Sequence, residues 1–385
     1  QTSWCMLAQL DLQSSTLSFV ESMNTDHTGG SMKIDARISR MGIAVLIVSY
    51  ALAGPLLAAA EDHGSSNRSA AELFAVLPDG ASGPEGLAVG PDGNVYVATF
   101  GFNAAGAVTG LGQFYVFNRE GKLLRNVSVQ HSSSHLLGIA FHPQTGALLV
   151  IDFGGGQVLL VDPITGASSV FMTVTGSSGL NGLTFDSAGN VYVSDSAQGI
   201  IWKTGANGGA GTAWVTDALL TTTGVPPFGA NGLEFNHAET TLFVANTGND
   251  TVVQIPFNHG TPGKPSVFVN SINGADGLAI DAHDNLWVAA NQSDEIDVVS
   301  PTGKLLARLG DFGGVSRSGT PRGLLFPASP AFSRNGEFVY VTNLALDLRI
   351  FGLPQAVDSQ WCAQVKHYTV SRIRTRFTPL GAAHD

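Results

Sequence analysis

The stretch PEGLAVGPDGNVYVATF, Pro84 to Phe100, contains two apolar β-rich runs joined by the turn sequence Pro91–Asp92–Gly93–Asn94. Valine, tyrosine and threonine favour strands, while Gly and Asn accept the positive φ that a tight hairpin requires. The stretch therefore predicts a strand, a turn and a second strand. A polar residue, Glu85, stands directly before the Gly–Leu pair that opens the first strand.

The same pattern recurs along the chain. Gly–Leu or Gly–Ile opens an apolar stretch at Gly86, Gly138, Gly182, Gly232, Gly277 and Gly323, at intervals of 44 to 52 residues. Third and fourth strands follow most hairpins, as in IIWKT and PSVFVN. This period and four strands per unit are typical of β-propeller blades. We expect an all-β, six-bladed propeller with four-stranded blades over residues 71–354, in which the strand at 71–78 completes the sixth blade.

Composition favours this fold and limits the partners. The chain has 385 residues and 47 glycines, is 44% hydrophobic and only 13% charged, and carries a net charge of −11. A negative protein gains nothing from contact with nucleic acid or an anionic membrane surface. We therefore expect no nucleic-acid partner, and consider a cation or a small neutral molecule the more compatible guest.

The N-terminal region reads as a targeting segment. Basic residues Lys33, Arg37 and Arg40 precede the apolar run 41–60, which ends in small residues. This pattern predicts a signal peptide over about residues 32–60 and a secreted or periplasmic protein without a stable membrane anchor after cleavage; a retained anchor is the alternative. Residues 1–60 are thus expected to be an untranslated or signal region, 61–70 a linker and 355–385 a tail outside the repeat.

The residue before each Gly decides the functional prediction. In chain order these residues are Glu85, Leu137, Asn181, Asn231, Asp276 and Arg322. The first strands of propeller blades line the central channel, so these side chains should converge on the axis. Glu, Asn, Asn and Asp offer oxygen ligands, which suit Ca²⁺ and, as alternatives, Mg²⁺ or Mn²⁺. The alternative is that each residue only caps a turn.

Other polar residues are expected on the same face. Second strands end there, so Asp152 and Asp195 should lie one layer outside the ligands, either near the substrate or in hydrogen bonds that close loops. His135 precedes the second unit on that face, and Arg322 could hold a substrate carboxylate or oxyanion or pair with Asp276 or Glu85. We consider Arg322, Asp152 and His135 candidate substrate-binding residues.

These motifs resemble the senescence marker protein and gluconolactonase family, often called regucalcin-like, over about residues 72–353. The resemblance implies metal ligands at Glu85, Asn181, Asn231 and Asp276, with Asp276 also the catalytic base. Asp152 or Asp195, at the ends of second strands on the same face, is the alternative base. It implies a metal-dependent hydrolase of a lactone or related ester. Ser177 and Ser178 stand where sugar-lactone enzymes carry an Arg, so gluconolactone itself is not implied. Similarity to NHL-type and strictosidine synthase-like propellers leaves a non-catalytic binding module with a structural metal as the alternative.

Overall fold

The computed structural model describes residues 70–353, 358–377 and 379–380. The expected signal segment and residues 61–69 of the expected linker lie outside these ranges. Within them, no helix is both long enough and apolar enough to cross a membrane.

The regular secondary structure of the described chain is almost entirely β-strand, grouped into blades. It begins with β1 (Glu72–Val76). The first blade and its small hairpin comprise β2 (Pro84–Val89), β3 (Val95–Thr99), β4 (Phe102–Asn103), β5 (Gly106–Ala107), β6 (Gln113–Phe117) and β7 (Leu123–Ser128). The second blade comprises β8 (Leu136–Phe141), β9 (Leu148–Asp152), β10 (Gln157–Val161) and β11 (Ser168–Thr173).

The third and fourth blades continue this pattern. The third comprises β12 (Leu180–Phe185), β13 (Val191–Asp195), β14 (Ile200–Gly205) and β15 (Gly208–Thr216). The fourth comprises β16 (Ala230–Phe235), β17 (Thr241–Asn246), β18 (Thr251–Asn258), the short β19 (Thr261–Pro262) and β20 (Ser266–Asn270). The nine-residue β15 extends far enough to pair in parallel with β11 of the preceding blade.

The last two blades are separated by a hairpin. The fifth comprises β21 (Ala275–Ile280), β22 (Leu286–Ala290), β23 (Glu295–Val299) and β24 (Leu305–Leu309); the hairpin is β25 (Phe312–Val315) with β26 (Pro321–Gly323). The sixth contains β27 (Pro327–Phe332), β28 (Phe338–Asn343) and β29 (Thr369–Arg374). Short helices lie between strands: 3₁₀ turns at Ala218–Leu220, Thr247–Asn249 and Leu348–Phe351, and α1 at Ser359–Cys362.

The six inner strands form a closed ring. Each of β2, β8, β12, β16, β21 and β27 contacts the next, and β27 contacts β2. The second strands are buried along nearly their whole length, as in Val95–Thr99 and Val191–Asp195, because neighbouring blades cover both of their faces. The prediction of a six-bladed propeller with four-stranded blades is confirmed.

The ring closes through the sixth sheet, whose order is β1-β29-β28-β27. The prediction that the strand at 71–78 completes this blade is confirmed, since β1 pairs with β29. Burial of Phe74 against Tyr340, with ring centroids 4.4 Å apart, anchors β1. The predicted boundary at residue 354 is wrong, because β29 lies in the expected tail and supplies the third strand of the blade.

The predicted start of the sixth inner strand is also wrong. Gly323 lies in β26, and the inner strand is β27, in which Pro327 pairs with Asn343 as Pro84 pairs with Thr99 in the first blade. The residue equivalent to Glu85 is therefore Ala328. An inner strand is an edge strand, so its free backbone positions tolerate proline, and this hides β27 from a pattern search.

Candidate metal centre

Four side chains from four blades meet at the axis. Glu85, Asn181, Asn231 and Asp276 are each the second residue of an inner strand, and each is only 4 to 5% exposed. All four line one cavity of about 20 Å³. A cavity of roughly 10–15 Å³ holds one water molecule, so this space suits a single water-sized or ion-sized guest.

The recurrent glycine explains how the side chains come so close. A Cβ placed on Gly86 would lie 2.1 Å from the carbonyl oxygen of Leu137 in the next blade. A Cβ on Gly138 would likewise lie 2.7 Å from the carbonyl oxygen of Asn181, and one on Gly182 would lie 2.9 Å from that of Asn231. The backbone of the next blade thus occupies the space a side chain would need. Glycine lets neighbouring inner strands approach, and the residue before it is carried to the axis.

The two carboxylates form an unbalanced buried pair. Among the described residues, Glu85 Oε2 and Asp276 Oδ1 are buried oxygens without a hydrogen-bond partner. Burial, and then the charge of Asp276, raise the pKa of Glu85 well above its ordinary value. Burial likewise raises the pKa of Asp276, opposed by hydrogen bonds from Asn291 and Asn231. Two buried carboxylates with orphaned oxygens are strongly unfavourable unless protonated or bound to a cation.

Three outer residues hold the ligand side chains. Asn181 Nδ2 donates to Ser196 Oγ at 3.3 Å, and Asn231 Nδ2 donates to Thr247 Oγ1 at 2.9 Å. Asn291 Nδ2 donates to Asp276 Oδ2 at 2.9 Å. Cations bind amide oxygen rather than nitrogen, so hydroxyl groups on the nitrogen side stabilise the orientation suited to binding.

The sequence analysis did not identify these outer residues, although it named Asp195, one position before Ser196. Ser196, Thr247 and Asn291 directly follow the second strands of the third, fourth and fifth blades. The equivalent residues after β3 and β9 are Phe100 and Phe153. A polar residue at this position thus accompanies a ligand residue in blades three to five, which is a signal that a blade-by-blade alignment contains.

The donor set fits a hard cation. No cluster of three or more His, Cys, Asp or Glu side chains in the described ranges could hold a metal ion, so a site here needs the amide oxygens as well. Two carboxylates and two amides are oxygen ligands of the kind that Ca²⁺ prefers. A bound cation would balance the charge of the two buried carboxylates and pair with their unpartnered oxygens.

Apolar side chains cover the cavity. Its remaining lining includes Phe100, Phe326, Leu344 and Leu346, all at most 5% exposed, from loops on the same face. Pro226 and Phe228 complete this layer, which we call the apolar cap. The cap keeps water from the two carboxylates and leaves no room for a substrate in this conformation.

Two predicted site residues serve loops. Asp195 accepts hydrogen bonds from the backbone N–H groups of Gly179, Ala197 and Gln198 and from the indole N–H of Trp202. Asp152 accepts from the N–H groups of Ser133 and Gly155, among others. Neither lines the cavity. Both carboxylates thus form the loop-closing hydrogen bonds expected as the alternative, and a catalytic role for Asp195 and a substrate-binding role for Asp152 stay predictions.

Arg322 and His135 have different outcomes. Arg322 is exposed on β26 and lines a separate surface cavity, so its predicted position on the axis is wrong. His135 lies beside the apolar cap, stacked on Phe102 with centroids 4.7 Å apart, and its Nδ1 is 2.6 Å from the carbonyl oxygen of Phe100. Its role toward a substrate stays a prediction.

The fold and this site define a class: six-bladed propellers with carboxylate and amide side chains gathered on the axis. Solved structures of similar fold include a luciferin-regenerating enzyme, with 16% identity, a TM-score of 0.59 and coverage of 80% of this chain and 97% of that one. A calcium-binding regucalcin from Agrobacterium tumefaciens has 17% identity and a TM-score of 0.56, covering 81% and 97%. A gluconolactonase from Xanthomonas campestris has 13% identity and a TM-score of 0.55, covering 78% and 88%.

Sequence comparison agrees with the structural likeness. Residues 126–310 match the SMP-30/gluconolactonase/LRE-like region, which confirms the resemblance seen in the motifs. Residues 69–100 match the N-terminal region of strictosidine synthase-like proteins. No curated protein matches the sequence.

Proposed function

We propose that this protein is a divalent-cation-dependent hydrolase of a lactone or related ester, with Ca²⁺ as the expected ion. One observation carries the proposal: two buried carboxylates with orphaned oxygens share a small cavity with two amide side chains. Glu85, Asn181, Asn231 and Asp276 would hold the ion. When bound, it supplies a Lewis acid for a carbonyl oxygen.

Asp276 is the proposed base. Water adds to the acyl carbon, the ester C–O bond breaks, and the water proton passes to Asp276 and then to the departing alkoxide. Asn291 donates to Oδ2 at 2.9 Å and so fixes the carboxylate while Oδ1 faces the reaction. A fixed general base contributes about 10²–10⁴-fold to rate.

The apolar cap points to the substrate class. Phe100, Phe326 and Leu346 offer contacts to hydrocarbon and few hydrogen bonds to hydroxyl groups. We therefore expect aliphatic or aryl lactones and esters to react in preference to polyhydroxylated sugar lactones. Because the cavity holds only about 20 Å³, the cap must move to admit them.

A second candidate function follows from the same cap. A sealed cavity also suits a structural cation in a non-catalytic binding module. Propellers host many unrelated functions, so the fold does not decide between the two.

Two measurements separate these functions. Calorimetry should show Ca²⁺ binding that Glu85→Gln weakens about tenfold or more, since one charged ligand is lost, while the exposed Glu120→Gln leaves it unchanged. Unchanged affinity in Glu85→Gln would contradict the proposed metal centre.

A panel of aliphatic, aryl and sugar lactones should then show turnover that needs Ca²⁺ and falls about 100-fold or more in Asp276→Asn. Ca²⁺ binding without turnover on any substrate would contradict the hydrolase and support the non-catalytic binding module.

Secretion is a separate proposal that rests on the apolar run 41–60 and the basic residues before it. Mass spectrometry of the exported protein should find a mature N-terminus close to residue 61. Retention of residues 41–60 in that protein would contradict it.

A further inference from the structure

A second and much larger cavity lies along the axis, beyond the glycines. It measures about 460 Å³ and is lined by the later residues of all six inner strands, from Gly86 to Val89 in β2 and from Ser329 to Phe332 in β27. We call it the axial channel. In the four inner strands that carry a candidate metal ligand, the ligand precedes the lining residues, so the channel opens on the opposite side of the propeller from the apolar cap. Its volume falls within the range of about 300–1,000 Å³ typical of small-molecule sites.

The channel wall combines apolar side chains with exposed polar groups and carries one carboxylate. Val89, Phe141, Ile280 and Phe332 contribute hydrocarbon surface. Glu234 is the one acidic side chain among the described lining residues, which include no Lys or Arg. Apolar side chains around a single charged group favour a ligand that has one charge and a hydrocarbon portion.

Glu234 is held in place from two blades. Thr184 Oγ1 on β12 donates to Glu234 Oε1 at 2.8 Å, and the backbone N–H of Phe235 donates to the same oxygen at 3.2 Å. The side chain is thus oriented before any ligand arrives, which reduces the entropy lost on binding.

Glu234 also lacks a strong positive partner. Burial raises its pKa to about 7, against smaller opposing effects of its two hydrogen bonds and of His237. The imidazole of His237 lies at the channel and is engaged with Asp284, with Nδ1 2.6 Å from Oδ1. A cationic ligand would supply the charge that the carboxylate lacks.

We propose that the axial channel binds a small organic ammonium ion, with its ammonium group paired to Glu234 and its hydrocarbon portion against the apolar side chains of the wall. A bare divalent cation is a poorer occupant, because it requires about six to eight oxygen ligands and Glu234 is the one carboxylate among the described lining residues. This site does not depend on the proposed hydrolase activity.

The test is calorimetric titration of the Ca²⁺-saturated protein with n-hexylammonium, with n-hexanol as the uncharged counterpart. Saturating Ca²⁺ keeps the amine from the metal centre. The amine should bind at least about tenfold more tightly than the alcohol, as a charge-assisted hydrogen bond requires. Glu234→Gln should weaken amine binding by a similar factor, and the exposed Glu120→Gln should not change it.

Further variants keep the result decisive. If Glu234→Gln unfolds, Thr184→Val removes the positioning donor and should still weaken amine binding severalfold. Equal binding of amine and alcohol would show an apolar cavity only and overturn the proposal. So would amine binding that is the same in Glu234→Gln and wild type, or absent at millimolar concentration.

Discussion

At the scale of the residue, the glycines that follow the proposed metal ligands let the inner strands pack closely. Gly86 and Gly277 would place a Cβ 2.1 and 2.6 Å from carbonyl oxygens of the next blade, at Leu137 and Ala328. Backbone cannot give way as a flexible side chain can. Because each glycine has no side chain, neighbouring inner strands pack closely, and this packing fixes the position of the polar residue before the glycine.

This argument predicts the effect of a single methyl group. Gly86→Ala should lower the free energy of unfolding by about 1–3 kcal/mol or more, because the ring must widen at β2 and β8. Gly205→Ala is the matched control, since its Cβ meets nothing within 4 Å. Urea denaturation of both variants measures the difference. Equal stability of the two would show that the inner strands are not closely packed at this point.

At the scale of the element, the sequence pattern and the observed strand pairing give different positions for the inner strand of the sixth blade. Gly323 begins a Gly–Leu pair like the others, yet it lies in the β25–β26 hairpin with φ of +79°. The true inner strand, Pro327–Phe332, has Ala328 and Ser329 where the first blade has Glu85 and Gly86. A dipeptide is too short a signal to distinguish a hairpin from a strand, and pairing with β28 decided the register.

The closing strand β1 provides the test at this scale. Phe74→Ala should cost about 3–5 kcal/mol in unfolding free energy, since Phe74 is 7% exposed and packs on Tyr340. Leu73→Ala changes the adjacent residue, which is 56% exposed, and should cost less than about 0.5 kcal/mol. Thermal or urea unfolding measures both. A Phe74→Ala protein as stable as Leu73→Ala would mean that β1 does not hold the ring closed.

At the scale of the whole molecule, we expect buried carboxylates outside the candidate metal centre to make the stability depend on pH. Asp294 is 7% exposed and accepts the N–H of Phe326 at 2.7 Å. Burial, and then the charges of Asp358 and Glu295, raise its pKa to about 8. A carboxyl whose pKa is raised by folding stabilises the native state below its unfolded pKa near 3.8, and this contribution is lost as pH rises toward 8.

The free energy of unfolding should therefore fall between about pH 4 and pH 8, and Asp294→Asn should make that fall less steep. Asparagine keeps an oxygen for the Phe326 N–H and cannot ionise. Asp162→Asn is the control, because two turn N–H groups lower the pKa of this exposed carboxyl and move its contribution below that window. Urea denaturation at several pH values measures the slopes. Parallel curves for wild type and Asp294→Asn would exclude Asp294 as a source of the pH dependence.

The sequence by itself determined the number of blades, the strand–turn–strand pattern and the four metal-ligand candidates. These features depend on the local alternation of apolar and polar residues, on turn chemistry and on repetition. Only the tertiary structure decided that Ala328 occupies the sixth axial position, that β29 belongs to the closing blade and that Asp152 and Asp195 hold loops. It also placed Glu234 in the axial channel beside Thr184. These features depend on pairings between residues far apart in the chain, and the geometry of a closed ring, rather than any local pattern, selects those pairings.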